Sequence, residues 1–501
     1  MSSDEPGTPP DPPRDEVIAE RRAKLDRWRA RGVDPYPVGV EVTDALADVR
    51  AAWDDKLEPE EASGQDVAVA GRMVLRRGHG KLVFVVLREG DAELQLMCQP
   101  QTLGQGGMAI LDELDLGDWV AATGEVVRTR RGELSVHARS LTLIGKSLRP
   151  MPDKWHGLRD VETRYRQRWV DLTVNADARR VLRVRAATIR ALRAELEERG
   201  YLEVETPLLH PVPGGALARP FVTHHNALGV DLYLRIAKEL YLKRLVAGGL
   251  PRVYEIGRVF RNEGLSTRHN PEFTMLESYE AHADYHDVMD LTQALIQRAA
   301  REAAGGTDLI YDERPVDLGG DWPRRRLLDL VRAATGRADV AYDADLDELR
   351  ALCATHGVRT EEGWGPGKLV LELYEKLVEG ELWDPTFVID YPVEVSPLAR
   401  RHRSDPHTTE RFEIIVTGRE LGNAFSELTD PDEQRARFEE QARAKAAGDA
   451  DAMSVDADYL AAMEFGMPPM GGLGIGVDRL VMLLAGVTSI RDVILFPTLR
   501  P

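Results

Sequence analysis

A chain of 501 residues, 43% hydrophobic and 30% charged, is long enough for two or three well-buried cores and has an ordinary globular composition. Its formal net charge of -19 gives nucleic-acid binding no support by itself, although local basic surface can still grip phosphates. Two distant cysteines, Cys98 and Cys353, exclude a disulfide framework and a C-x-x-C zinc site, and no run of about 18 apolar residues predicts a membrane span; a reducing, cytoplasmic setting is expected.

Residues 1–13, acidic and Pro-rich, read as a disordered tail unlike a signal peptide. Asp15 to Arg31 predicts an amphipathic helix with Ile18, Leu25 and Trp28 on its apolar side, within an N-terminal extension reaching residue 62. From 63 to 150 the text changes to short alternating segments, VAVAGRMVL, LVFVVL, AELQLMC, WVAATGEVVRT and ELSVHARSLTLI. About five such strands predict a small barrel of the OB type, with Arg76, Arg77 and Lys81 beside Phe84. KSLRPMPDKWHG reads as a linker, and 151–501 as a second, larger domain. There VLRVRAATIRALRAELEERG predicts a helix stopped by Gly200, and YLEVETP a strand ending at Pro207. Residues of about 325–385 are helix-rich and read as an insertion.

GGLGIGVDRL fails the dinucleotide spacing, because Arg479 occupies the third glycine position, and GPGKL lacks the length of a P-loop. The densest chemistry lies in FRNEGLSTRHNPEFTMLESYEAHADY, where Arg261, Glu263, Arg268, His269, Glu277 and Tyr279 alternate with Phe260, Phe273, Met275 and Leu276. A strand, charged loop and returning strand would set guanidinium and carboxylate groups over one sheet face. Burying such groups is costly without a polar ligand.

These residues carry a resemblance. YLEVETPLLHPVPGG is similar to motif 1 of the class II aminoacyl-tRNA synthetases, residues 260–273 to motif 2, and GLGIGVDRLVM to motif 3. The N-terminal OB-type block matches the subgroup that charges lysine, aspartate and asparagine. The implied fold is α+β: a β-barrel followed by a catalytic domain on a mostly antiparallel sheet flanked by helices, paired as a homodimer through motif 1. The implied activity is ATP-dependent activation of an amino acid and its transfer to the 3' end of tRNA, with no membrane partner.

The resemblance also assigns roles. Arg261 bridges the substrate carboxylate and the α-phosphate, and Phe273 and Arg479 sandwich adenine. Glu263 accepts from the adenine amino group, Arg268 and His269 hold the terminal phosphate, and Asn270 joins the ATP site. In RFEIIVTGRELGNAFSEL, Glu413 and Glu420 hold Mg²⁺, up to three ions with ATP; their spacing allows convergence on a strand-turn. Activation is attack by an already ionised carboxylate, so positioning and charge stabilisation suffice.

The side-chain pocket decides the amino acid. An acidic substrate needs cations, whereas lysine needs carboxylates beside an aliphatic slot. Glu239, Glu277, Tyr279, Asn423, Phe425 and Glu427 match the lysine enzymes, so the expected tRNA is tRNA(Lys). By resemblance Glu239 and the backbone of Gly215 take the α-ammonium, and Glu427 with Tyr279 takes the side-chain ammonium. Phe425 lies along the methylenes, Asn423 holds the carboxylate, and Glu277 belongs to the pocket. The sequence departs from the family at Lys238, Ser278 and His282; strand-like alternation would point Lys238 outward. On the barrel, Phe84 and Gln95 match the anticodon-reading pair, an aromatic platform and an amide, with Arg77 beside them. An aspartate- or asparagine-charging enzyme, a protein-lysylating enzyme and a non-catalytic paralogue are the alternatives.

Overall fold

The computed structural model describes residues 14–152, 158, 160–446 and 454–500. The acidic tail and residues 153–157 of the linker lie outside the described residues. The chain divides into two compact units, parting after Arg179.

The first unit is built on a closed barrel of β1 (Ala62–His79), β2 (Leu82–Glu89), β3 (Ala92–Cys98), β4 (Trp119–Arg128) and β5 (Leu134–Gly145), paired in the order β1-β2-β3-β5-β4. Strict alternation drives it: β2 buries Val83, Val85 and Leu87, leaving Phe84 and Val86 on the outside. A Cβ on Gly124 would meet the His137 carbonyl oxygen at 2.2 Å, so β4 can approach β5 this closely only with glycine there. A helix, Pro100–Glu113, follows β3; its Gly-rich text concealed it. The N-terminal helix Arg14–Ala30 docks as its periodicity predicts, with Leu25 and Trp28 buried. Its cations are engaged by the barrel: Lys24 Nζ donates to Asp115 at 2.6 Å and Arg21 to the Ser147 carbonyl at 3.0 Å.

In the second unit the strands are β6 (Leu202–Glu203), β7 (Leu209–His210), β8 (Val222–His225), β9 (Val230–Leu234), β10 (Arg252–Phe260), β11 (Glu272–Ala281), β12 (Asp308–Tyr311), β13 (Arg314–Asp317), β14 (Arg324–Arg326), β15 (Thr386–Ile389), β16 (Arg411–Val416), β17 (Arg419–Ser426) and β18 (Met470–Gly476). Eight of them form one sheet in the order β14-β15-β16-β17-β18-β11-β10-β6. Its pairs are antiparallel except β14 with β15 and β10 with β6. The helices Ala176–Glu198, Tyr285–Ala299 and Val477–Ala485 supply Leu192, Leu196, Leu295 and Leu480 to a core that also takes Leu276, Leu473 and Ile475 from the sheet. One face is thereby covered, and the alternate residues of the same strands are left for chemistry.

β6 is shorter than YLEVETP predicts. Thr206 donates its backbone N–H and hydroxyl to the Glu255 carboxylate, at 3.1 and 2.7 Å, so a side chain replaces the ladder there. The helix-rich segment contains Leu327–Thr335, Leu346–Thr355 and Pro366–Leu377 around Val331, Leu369 and Leu373. It is the crossover that two parallel neighbours, β14 and β15, require.

Candidate active site

Three central strands build the floor. Tyr279, Glu277 and Met275 of β11 stand opposite Gly472, Gly474 and Gly476 of β18, and on its other side Phe425 and Asn423 of β17 face Gly472 and Gly474. The middle strand therefore presents glycine at each position of the open face, while Leu473 and Ile475 point into the core. The result is a cavity of about 360 Å³ walled by the side chains of the flanking strands.

Apart from Glu413, every residue expected to hold ATP or the amino acid lines this one cavity, together with Arg411 and the segment 395–399. Glu413 is held nearby by Arg411, two residues earlier on the same face of β16, at 2.7 Å. Pairing shifts between Ile414 and Ile415, from Glu413 opposite Asn423 to Ile415 opposite Glu420. That one extra residue reverses the alternation and turns Glu420 onto the face of Glu413 and Asn423. Burial and the Glu420 charge push the Glu413 carboxyl up to about 7.

At one end three carboxylates converge. Glu239 opens the helix Glu239–Ala247, Glu277 rises from β11, and Glu427 follows β17; all are buried. Gly215 passes beside Glu239 with φ +85°, and a Cβ there would lie 3.2 Å from the Glu239 Cβ. Glu277 accepts the backbone N–H of Lys238 at 3.0 Å. Lys238 is fully buried, which corrects the outward orientation expected from strand-like alternation. It caps a helix instead, and its ammonium runs behind Glu277, donating to the Met275 carbonyl at 3.1 Å with Glu277 at 3.8 Å. It does not line the cavity, and burial lowers its pKa to about 8. Glu427 has no hydrogen-bond partner at either carboxylate oxygen, although Lys243 forms an ion pair with Oε2. Burial raises the Glu427 carboxyl well above the usual range, against the pull of Lys243. Phe425 and Tyr279 close the sides.

At the other end lies the charged loop between β10 and β11. The Arg261 guanidinium lies 5.2 Å over the Phe273 ring, and burial lowers its pKa. Arg479 donates to the Glu420 carbonyl at 2.9 Å and pairs with its carboxylate at 3.2 Å. Ser266 knots the loop: its hydroxyl accepts the N–H groups of Arg268 and His269, both at 3.0 Å, and meets His269 Nδ1 at 3.1 Å. Burial, reinforced by Arg479, holds the His269 imidazole below its ordinary value. Glu263, Arg268 and His269 are exposed at the rim. Asn270 spends its amide on the Glu272 carbonyl at 2.6 Å and the Thr498 N–H at 3.2 Å, so it braces the loop.

Sequence reasoning missed three residues. Arg411 donates to Asn423 Oδ1 at 3.0 Å as well as to Glu413; its place two residues before Glu413 was the available signal. Lys243, four residues after Glu239, forms ion pairs with Glu239 and Glu427. Asp478, next to Arg479, takes Arg185 at 2.5 Å and the Thr274 N–H at 2.6 Å, fixing the helix that carries Arg479 to β11.

On the barrel, Phe84 lies half-buried on the outer surface, opposite Arg77 of β1 and Met97 of β3. Gln95 also lies on the outer side, covered by neighbours: its Nε2 donates to Ser135 Oγ at 2.9 Å and Arg77 donates to its Oε1 at 3.3 Å. The three residues expected to read RNA thus share one patch.

Comparison with known proteins agrees with this geometry. Residues 160–500 match the model of the tRNA synthetases class II (D, K and N), and residues 67–144 that of the OB-fold nucleic acid binding domain. The lysine–tRNA ligase of Moorella thermoacetica is 50% identical over 486 residues, covering 97% of this chain and 98% of that protein. Those of Xanthomonas oryzae pv. oryzae and Xylella fastidiosa are each 52% identical, over 498 and 489 residues, covering 98% and 97% of this chain and 98% and 96% of theirs. The chain belongs to the class II tRNA synthetases of the D, K and N group, with an N-terminal OB-fold domain.

Proposed function

We propose that the chain activates L-lysine with ATP to lysyl-adenylate and transfers the lysyl group to the 3' end of tRNA(Lys). The observation that carries the substrate is the convergence of Glu239, Glu277 and Glu427, buried in one aromatic-walled end of the cavity. Buried carboxylates demand a cationic partner, and a site built around them rejects ligands lacking the complement by roughly 10⁴ to 10⁵. The names of the relatives, lysine–tRNA ligases at about half identity along nearly the whole chain, support the same substrate.

In this reading Glu427 and Tyr279 receive the side-chain ammonium, Phe425 flanks the methylenes, and Glu239 with the Gly215 backbone takes the α-ammonium. Arg411 occupies Asn423 Oδ1, which leaves the Asn423 amide nitrogen to donate to the substrate carboxylate. A carboxylate oxygen of lysine then attacks the ATP α-phosphorus, forming the mixed anhydride as the bond to pyrophosphate breaks. Arg261 stabilises the charge shared between carboxylate and α-phosphate. Phe273 and Arg479 enclose adenine, Glu263 accepts from its amino group, and Arg268 and His269 hold the terminal phosphate. Asn270 keeps that loop in place.

Glu413 and Glu420 fit Mg²⁺. They are two like charges on one face, and magnesium takes one or two carboxylates with phosphate oxygens completing its shell. Bound there with ATP, magnesium supplies neutralisation of the phosphate charge. On the barrel, Phe84 stacks an anticodon base, Gln95 reads its edge and Arg77 contacts the backbone. Two copies pair through the motif 1 region, where Leu202, Leu209 and Val222 are exposed. Among the described residues no helix is long and apolar enough to cross a membrane, and the proposed setting is the cytoplasm.

Amino-acid-dependent ATP–pyrophosphate exchange tests the reading. Exchange driven by lysine and not by aspartate or asparagine is expected; exchange driven by aspartate alone overturns it.

A further inference from the structure

Lys243 has no role in the chemistry above, yet it is fully enclosed behind the cavity wall. It is fully buried on the helix Glu239–Ala247, one turn after Glu239. Its ammonium donates to Glu239 Oε1 at 2.5 Å and forms a second ion pair with Glu427 Oε2. The Tyr279 and Phe425 rings lie 5.8 and 5.4 Å from it. Glu239, Tyr279, Phe425 and Glu427 all line the cavity, whereas Lys243 does not. The cation therefore stands behind the carboxylates.

Its placement divides the Glu427 carboxylate. Oε2 is committed to Lys243, while Oε1 has no hydrogen-bond partner and sits over Gly472, in space that a Cβ there would take. We infer that Lys243 is a positioning residue for amino-acid selection, a built-in counter-cation that ties Glu239 to Glu427 and leaves Glu427 Oε1 as the acceptor for a cationic side chain. This rests on the proposal that lysine is the substrate.

The physical reason is like-charge repulsion at low dielectric. Glu239, Glu277 and Glu427 crowd one buried end, and carboxylates so placed take up protons unless a cation opposes them. Burial raises the carboxyl groups of both Glu239 and Glu427, and Lys243 is the largest influence in the opposite direction on each. The other groups facing this pair are Glu277, the phenols of Tyr279 and Tyr459, and, toward Glu239, Arg411. Lys238 sits on the far side of Glu277. With the Lys243 charge removed, Glu239 and Glu427 are left to share a proton. A protonated Glu427 is no trap for an ammonium group, so the variant loses lysine as pH falls.

The test measures KM for lysine and for ATP by pyrophosphate exchange between about pH 8.5 and pH 6.5, in the wild-type chain, Lys243→Met and Lys243→Gln. The wild type is expected to hold a nearly flat KM for lysine. In both variants that KM rises about tenfold or more as pH falls across the range, while KM for ATP stays within about twofold of wild type. The unchanged ATP constant shows that the cavity has formed, and Gln keeps a donor without the charge, which separates electrostatics from packing. A flat lysine profile in either variant, or a parallel rise in both constants, overturns the inference. If the wild type shows no lysine-dependent exchange, it is the substrate reading that fails.

Discussion

A Cβ placed on Gly472 would fall 1.9 Å from Glu427 Oε1. The same atom would lie 2.5 Å from the Tyr279 ring, so the pocket exists because β18 has no side chain at that point. Neither neighbour can move far, since Tyr279 and Glu427 are both buried.

Gly472→Ala is therefore expected to raise KM for lysine about a hundredfold, with KM for ATP within about twofold, because overpacking is local to the amino-acid end. Steady-state exchange kinetics check it. Equal losses for both substrates would place Gly472 in the fold and not in the pocket.

Asp478 is 1% exposed and holds Arg185 at 2.5 Å. Removing one partner of such a buried pair costs about 3 kcal/mol or more. Asp478→Asn should lower thermal stability and also weaken ATP about tenfold, since the helix bearing Arg479 loses its anchor on β11. A melting curve and an ATP titration on the same preparation test both effects. Normal ATP affinity would separate Asp478 from the site.

Phe84→Ala should leave adenylate formation unchanged and slow tRNA charging roughly 10- to 100-fold, the worth of one base stacked on an aromatic ring. Pyrophosphate exchange and aminoacylation of tRNA, compared side by side, decide it. Unchanged charging contradicts the proposed anticodon platform.

The sequence made the motif 2 strands legible because β11 obeys alternation so strictly: Phe273, Met275, Glu277 and Tyr279 fall on one face without any tertiary knowledge. The barrel was legible for the same reason. Glu420 was named beside Glu413 from the resemblance, but the extra residue that turns it onto the face of Glu413 was not legible, because nothing in RELGN announces a bulge. Lys238 was misplaced because it caps a helix, where the two-residue period no longer applies. Lys243 was overlooked because a charged residue on a helix ordinarily faces water, and only the fold shows that this one faces two buried carboxylates.

The selection of lysine by buried carboxylates is tested most directly by Glu427→Gln, which keeps the shape and removes the charge. The expected result is a fall of roughly 10² to 10³ in kcat/KM for lysine, as when one member of a buried charge pair is lost, with KM for ATP nearly unchanged. Undiminished use of lysine, or an equal loss in lysine and ATP, would contradict the account.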